Sequence, residues 1–150
     1  MTKYSELMQM VTSFRSKYFL TIGWRLSKNA KIIADHLHED EVVEYAFFAQ
    51  KNDNPLNIVG TAVIALTNKR LLIGRDRVVV GYFFDSITPD LFNDLKIKSG
   101  IIFGKIEIDT VKEFVVLSNI DKRALTEIEK KISSFMIKGK KQLRCDEENA

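Results

Sequence analysis

The sequence has few of the residues that mark special architectures. Its single cysteine, Cys145, excludes an intramolecular disulfide and suits a reducing compartment. With 2 prolines and 7 glycines in 150 residues, the chain has no Pro/Gly-rich linker that would divide it. Its longest apolar runs, such as 78–84, are far shorter than the roughly 18 residues of a membrane span, and no secretory signal is recognisable. We therefore expect one cytoplasmic domain without a transmembrane segment.

The chain also lacks a large excess of positive or negative charge. The chain has 23 Lys and Arg against 20 Asp and Glu, which leaves a net charge of +3. Proteins that bind nucleic acid gather basic charge on one face, and the interleaved charges here do not indicate such a face. We therefore expect no nucleic-acid partner. The hydrophobic fraction of 45% is ordinary, so the chain can bury a core without metal or disulfide.

Motifs that carry catalysis or metal binding are missing as well. There is no glycine-rich phosphate loop, no nucleophile elbow and no paired cysteine and histidine. The two histidines, His36 and His38, would point to different sides of a helix, whereas helical metal ligands lie about one turn apart. The acidic residues that follow them, 39–41, are interpreted as an exposed helix end. We expect no catalytic residue, no metal and no cofactor, and an enzyme ranks below the two binding hypotheses given below.

The N-terminal part has helical hydrophobic periodicity. Apolar residues spaced by three and four positions predict a helix over Tyr4–Tyr18 and a second over Leu26–Leu37, with Ser27 or Asn29 near the start of the second. Gly23 indicates a turn between them. Residues 1–38 are therefore predicted to be a helical extension.

The period then changes to that of β-strands. Seven short strands are predicted between residues 42 and 117, at roughly 8–12-residue spacing, which favours a sandwich or barrel. They comprise Val42–Gln50, Ile58–Leu66, Arg70–Gly74, Val78–Phe84, a strand around Leu95 and Ile97, one along Ile102–Ile108, and Val111–Leu117.

A C-terminal helix follows the predicted strands. Its apolar stripe comprises Ile120, Ala124, Leu125, Ile128, Ile132, Phe135 and Met136. Ser118 and Asp121 resemble a capping box at the helix start, and Gly139 is predicted to end the helix. Residues 139–150 are predicted to be a polar, disordered tail, and its acidic residues offset the basic cluster of Lys138, Lys140, Lys141 and Arg144.

The run Thr67-Asn68-Lys69-Arg70-Leu71-Leu72-Ile73, entered from an apolar strand, resembles the turn between the second and third strands of bacterial pleckstrin-homology (PH-like) and GRAM-like domains. The segments 86–88 and 99–106 are similar to the same family, and the resemblance covers about Leu37 to Ile137. It implies a mainly β, α+β fold: a seven-stranded antiparallel barrel or sandwich over residues 39–138, capped by the C-terminal helix. From turn chemistry we interpret 67–70 as specifying the fold, with Asn68 in the left-handed conformation.

The resemblance also implies where a ligand would bind. PH domains that recognise inositol phosphates use basic residues on the loops after the first and third strands, which here offer Lys51, Arg75 and Arg77. These loops also carry Asp53 and Asp76, and they lack the lysine-then-arginine pattern of lipid-binding members. A sensor of anionic lipid or phosphate is therefore the alternative hypothesis.

The leading hypothesis is a non-enzymatic interaction module that binds a protein partner or a second copy of itself. The aromatic residues of the N-terminal helices exceed what a small barrel needs, which is a hint of oligomerisation. We expect Phe14, Tyr18, Phe19 and Trp24 to pack against the barrel or to form the interaction surface.

Overall fold

A computed structural model describes residues 2–51, 60–77 and 80–149. Two helices precede the strands and a third follows them, and the seven strands are all antiparallel. The elements are α1 (Lys3–Lys17), α2 (Leu26–His36), β1 (Val43–Gln50), β2 (Thr61–Thr67), β3 (Leu71–Asp76), β4 (Tyr82–Ile87), β5 (Phe92–Ser99), β6 (Phe103–Thr110), β7 (Phe114–Asp121) and α3 (Leu125–Glu148). Short 3₁₀ turns occupy Pro89–Leu91 and Lys122–Ala124.

The strands form one curled sheet in the order β4-β3-β2-β1-β7-β6-β5. β1 and β7 pair only at Gln50 and Ser118, so the sheet splits there into two halves, β1–β4 and β5–β7. The halves curl into a half-barrel, and α3 packs against β5, β6 and the 3₁₀ turn at Pro89–Leu91. The predicted architecture of seven antiparallel strands with a C-terminal helix is confirmed.

The concave face of the sheet forms the barrel interior. Phe47, Ile64 and Ile73 stand directly opposite one another on β1, β2 and β3, so they lie on the same face. The buried side chains of α3 are Leu125, Ile128 and Ile132. At Gly104 a Cβ atom would lie 2.2 Å from Leu125 Cδ1, which shows how closely α3 approaches β6.

The convex face of β1–β3 is covered by the N-terminal helices. α1 packs on β1, and α2 packs on β2 and β3. At Gly74 of β3, a Cβ atom would lie 2.8 Å from the backbone oxygen of Asn29 on α2. Every residue of β2 is buried, because one face of this strand meets α2 and the other meets the barrel interior. The N-terminal helices thus complete a second apolar layer, although the division at residue 38 stays a prediction.

The helix end predicted at Gly139 is wrong. α3 continues to Glu148, although all side chains of residues 141–149 are exposed. Gly139 serves packing instead, since a Cβ atom there would lie 2.2 Å from Pro89 Cγ. Because Gly139 has no side chain, α3 can pass close over the 3₁₀ turn. No local sequence pattern indicates that a glycine within a helix has this packing role.

Other element boundaries differ from the prediction. Ser118 lies in β7, and Asp121 caps the 3₁₀ turn by accepting the Arg123 N–H, so the predicted capping box is wrong. β4 begins later than expected because Gly81, with φ +82°, forms the hairpin turn. The N-cap of α2 is Arg25, in the left-handed conformation, and Ser27 and Asn29 lie near the start of the helix as predicted. The predicted strand starts at Ile58 and Val78 lie outside the described residues.

The turn at 67–70 holds the connection between α2 and β1. Thr67 Oγ1 accepts the backbone N–H groups of Lys69 and Arg70 and donates to Glu41 Oε2 at 2.6 Å. The Arg70 guanidinium donates to both oxygens of Glu41 at 2.9 Å. Asn68 does not adopt the predicted left-handed conformation; its Oδ1 accepts the N–H of Val42 at 2.9 Å. These contacts support a fold-specifying role for the turn.

Candidate functional site

The three cations predicted to bind an anion lie at one end of the barrel. Gln50 stands opposite Thr61 on the helix-covered face, so Lys51, which follows it, projects towards the barrel interior. The Lys51 ammonium lies 3.3 Å from Asp85 Oδ2 and 3.6 Å from Glu113 Oε2, and the side chains of Lys51, Asp85 and Glu113 are 23%, 24% and 32% exposed. Two carboxylates therefore already surround this lysine.

Arg75 and Arg77 are brought together by an aromatic ring. Their guanidinium carbons lie 4.6 Å and 5.3 Å from the ring centroid of Phe83. Arg75 stands opposite Phe83 across β3 and β4, which places the two side chains on the same face. The Nε of Arg75 and the Oε1 of Glu113 are both buried and find no hydrogen-bond partner within the described part of the chain.

β4 is one of the two outer strands of the sheet. It pairs with β3, and no other described strand pairs with its far edge. The backbone N–H of Arg77 donates to Gly81 O at 3.0 Å, so these two residues form a hydrogen-bonded pair. From this pair onwards, successive residues of an antiparallel strand point their N–H groups alternately towards the partner strand and away from it. The N–H groups of Tyr82, Phe84 and Ser86 therefore point away from β3. The side chains of Tyr82 and Phe83 are 53% and 45% exposed.

The other outer strand, β5, differs from β4 in charge. β5 carries three charged residues, Asp94, Lys96 and Lys98, and its side chains are mostly exposed. Charges of this kind on an outer strand discourage pairing with another chain. β4 has one charged residue, Asp85, whose side chain turns inward to Lys51. Of the two outer strands, β4 is the one without exposed charge.

The four aromatic residues of the N-terminal segment do not form one surface. Phe14 and Tyr18 are buried at 4% and 7% exposure, in the expected contact with the barrel, so neither contributes to an exposed surface. The ring of Phe14 lies against those of Phe47 and Phe48, with centroids 5.8 Å and 5.5 Å apart. Phe19 and Trp24 are 68% and 48% exposed.

Glu127 at the start of α3 joins the N-terminal helices to the barrel. Its carboxylate accepts hydrogen bonds from Lys17 at 2.7 Å, Tyr18 at 3.0 Å and Tyr45 at 2.8 Å. Burial raises the pKa of Glu127, but these three donors outweigh burial and hold the pKa below the ordinary value of 4.5. The Glu127 carboxylate therefore connects α1, β1 and α3, and each of its three donors is a side chain of the folded domain itself.

Of the two histidines, His36 packs against an aromatic ring, whereas the His38 side chain is 59% exposed. His36 stacks on Phe84 with ring centroids 4.1 Å apart, and its Nδ1 lies 2.7 Å from the carbonyl oxygen of Ile32. No group of three or more His, Cys, Asp or Glu side chains suited to a metal ion occurs within residues 2–51, 60–77 and 80–149. Among these residues there is also no helix long and apolar enough to cross a membrane.

A family model described as bacterial PH domain matches residues 37–134. The chain belongs to the bacterial PH domain family. The match begins just after α2 and ends within α3, so both α1 and α2 lie outside the matched region. Its fold is the PH-like half-barrel described above.

Two solved bacterial PH structures are similar to this chain. The pleckstrin homology domain from Shewanella amazonensis SB2B is 16% identical with a TM-score of 0.49, over 75% of this chain and 89% of that one. A DUF1696 family protein with a pleckstrin-homology domain from Shewanella loihica PV-4 is 15% identical with a TM-score of 0.47, over 75% and 98%. None of the curated proteins matches the chain.

Sequence reasoning missed the two carboxylates beside Lys51. Asp85 lies on β4 and Glu113 in the turn between β6 and β7, so neither is near Lys51 in sequence. Only curling of the sheet brings them to it. The exposed aromatic pair Tyr82 and Phe83 could have been found from the sequence. Both lie in a predicted apolar strand, where consecutive residues place one aromatic ring on each face.

Proposed function

We propose that this bacterial PH domain is a non-enzymatic interaction module of the cytoplasm that binds an extended protein segment along the outer edge of β4. The segment comes from a protein partner or from a second copy of the chain. No cofactor, metal or nucleic acid takes part in this function.

The observation that carries the proposal is the outer edge of β4. Three N–H groups of a six-residue strand point away from β3, and the strand shows no charge to solvent. An extended peptide that adds to such an edge gains backbone hydrogen bonds, each worth about 0.5–1.5 kcal/mol. The exposed rings of Tyr82 and Phe83 offer apolar contact on both faces of the added strand.

Proline at position 82 tests the edge directly. Tyr82 is the first residue of β4 and its N–H points outward, so Tyr82→Pro removes a donor from the edge while leaving the β3 pairing intact. Ser99→Pro is the matched control, because Ser99 is the last residue of β5 and its N–H points away from β6 by the same alternation. Tyr82→Ala separates the contribution of the ring from that of the backbone.

The assay is sedimentation velocity over a wide concentration range, followed by affinity capture from host lysate. We expect wild-type protein to self-associate or to retain a stoichiometric partner, and Tyr82→Pro to weaken that association roughly tenfold. Ser99→Pro keeps the wild-type affinity. If no association occurs at any concentration, or if both proline variants lose it equally, the β4 edge is not the site.

A second candidate function is an anion sensor at Lys51, Arg75 and Arg77. The unpartnered, buried Nε of Arg75 favours it, because an anionic oxygen would satisfy that donor. Asp85 and Glu113 oppose it by surrounding Lys51. Titration calorimetry with inositol hexakisphosphate tests it: charge reversal at Arg75 and Arg77 abolishes binding of the anion if the sensor exists, whereas wild-type protein that binds no anion excludes it.

A further inference from the structure

Two arginines beside the outer edge of β4 have no acidic partner. The guanidinium groups of Arg75 and Arg77 lie 4.6 Å and 5.3 Å from the ring centroid of Phe83, and neither forms an ion pair with a carboxylate of residues 2–51, 60–77 and 80–149. The Nε of Arg75 is buried and finds no hydrogen-bond acceptor among these residues. A buried donor without an acceptor costs free energy, so the site favours a ligand that supplies one.

The acidic side chains around the two arginines already have basic partners. Asp76 lies between the arginines in sequence, so its side chain is on the opposite face of the sheet, where it pairs with Arg25. Asp85 and Glu113 lie 3.3 Å and 3.6 Å from the Lys51 ammonium. On the face of the arginines three cations therefore meet two carboxylates, and both carboxylates are at Lys51. The excess positive charge remains at the arginines.

The register of β3 and β4 places this charge beside the path of an added strand. Arg75 stands opposite Phe83, and Arg77 opposite Gly81, so all four residues share one face. A Cβ atom at Gly81 would meet nothing within 4 Å in the described chain, so the space next to the ring of Phe83 is open. A side chain on this face of an added strand therefore reaches both guanidinium groups.

The other face of β4 is aromatic rather than charged. The rings of Tyr82 and His36 are in edge contact with centroids 5.5 Å apart, and His36 stacks on Phe84 at 4.1 Å. The side chains of an added strand alternate between the two faces. Those next to the side chain that meets Phe83 consequently contact this aromatic surface, which suits apolar residues.

We propose that the β4 edge selects extended segments of another protein in which an acidic residue lies between two apolar residues. This inference rests on the proposed function and names the chemistry of the partner. The acidic side chain accepts hydrogen bonds from Arg75 and Arg77 beside the ring of Phe83, and its apolar neighbours contact Tyr82 and Phe84.

Charge complementarity selects a different protein over a second copy of the chain. The single acidic residue of β4, Asp85, is held inside the barrel by Lys51. On β5, the acidic Asp94 shares its face with Lys96, whose charge the arginines repel. Neither outer strand of a second copy therefore presents an acidic residue between apolar ones.

Selection of random linear peptides displayed on phage, with the full chain immobilised, tests the inference. We expect the selected sequences to share one Asp or Glu with an apolar residue on each side. Fluorescence anisotropy then compares a selected peptide with the same peptide in which the acidic residue is replaced by its amide. We expect the amide form to bind wild-type protein about tenfold more weakly.

Variants of the arginines assign this preference to the site. We expect Arg75→Gln/Arg77→Gln to bind the acidic and amide peptides equally, because the partner of the carboxylate is gone. Arg77→Gln alone, at an exposed position, reduces the preference without disturbing the fold. The matched control is Lys138→Gln/Lys141→Gln, which removes the same charge from exposed positions of α3 and keeps the tenfold preference. Thermal melts by circular dichroism confirm that each variant is folded.

The outcomes separate this inference from the proposed function. Selected peptides that Tyr82→Pro weakens but that show no acidic preference overturn the inference and leave the β4 edge as the binding site. An acidic preference that survives in Arg75→Gln/Arg77→Gln does the same. Self-association of wild-type protein that these substitutions abolish assigns the arginines to a second copy and also overturns it. Selection of no peptide, or of peptides that Tyr82→Pro leaves unaffected, contradicts the proposed function itself.

Discussion

Substituting Glu41 with glutamine removes the charge from a buried ion pair while keeping the shape of the side chain. The Glu41 side chain is fully buried, and the Arg70 side chain is 12% exposed. Glu41 accepts two hydrogen bonds from Arg70, one from Thr67 and one, at 3.1 Å, from the N–H of His38. A glutamine amide has a single acceptor oxygen, so at least one donor that now meets Glu41 loses its partner.

The pKa of Glu41 sets the size of the expected loss. Burial raises this pKa, but Arg70, Thr67 and the His38 N–H more than offset burial and lower it from 4.5 to about 2. A difference of this size corresponds to about 3 kcal/mol of stability at neutral pH. Removing one partner of a buried pair costs a similar amount, roughly 3–5 kcal/mol. We therefore expect Glu41→Gln to lower the free energy of unfolding by about 3 kcal/mol at pH 7.

The pH dependence separates the charge from simple packing. Because the folded pKa of Glu41 lies below its unfolded value, its contribution is complete above about pH 4.5 and is lost as the pH falls towards 2. Urea unfolding followed by circular dichroism at pH 7 and at pH 3 measures both quantities. Wild-type protein approaches the stability of Glu41→Gln as the pH is lowered.

Two further variants make the reasoning refutable. Glu39→Gln, at an exposed neighbouring position, is the control and changes stability by less than about 0.5 kcal/mol. Glu41→Leu/Arg70→Met replaces the pair by apolar side chains and restores most of the lost stability. A loss below about 1 kcal/mol for Glu41→Gln, or a loss that is equal at pH 7 and pH 3, would refute the electrostatic account of this turn.

Two other predictions concern α3. Gly139→Ala normally stabilises a helix by about 0.5–1 kcal/mol, but here the new Cβ would lie 2.2 Å from Pro89 Cγ, so we expect a lower melting temperature that Pro89→Ala/Gly139→Ala restores. A rise in melting temperature for the single variant would contradict that packing. Glu127→Gln weakens three hydrogen bonds and lowers stability by about 1–2 kcal/mol in urea unfolding at pH 7. Since the Glu127 pKa is lowered in the folded state, this loss shrinks below pH 4.5; an unchanged loss at low pH would point to packing alone.

The strand and helix order was predictable because hydrophobic period is a local property. Lys96 and Lys98 alternate with Leu95 and Ile97, and this alternation predicted β5. The stripe that contains Leu125, Ile128 and Ile132 predicted α3. The ends of elements were less predictable, because they depend on contacts with residues that are distant in sequence. Gly139 lies against Pro89, and the N–H of Asp121 donates to Thr21 Oγ1.

The candidate site was predictable only in part. The resemblance to bacterial PH domains directed attention to Lys51, Arg75 and Arg77, and the structure brings the two arginines together on Phe83. The carboxylates beside Lys51 were not predictable, because they arrive from separate strands. The interaction surface assigned to the N-terminal aromatics divides in the structure, since consecutive helical turns and the following loop face opposite ways: Phe14 and Tyr18 inward, Phe19 and Trp24 outward.

The sequence by itself determined the family, the seven strands and the three helices, because the 67–73 run and the hydrophobic periods are readable along the chain. Tertiary structure alone decided which surfaces remain for partners. Packing of α1 and α2 on β1–β3 buries one face of the sheet, and curling of the sheet surrounds Lys51 with acid. Both depend on contacts between residues far apart in sequence, so they exist only once the chain has folded, and they leave the outer edge of β4 exposed.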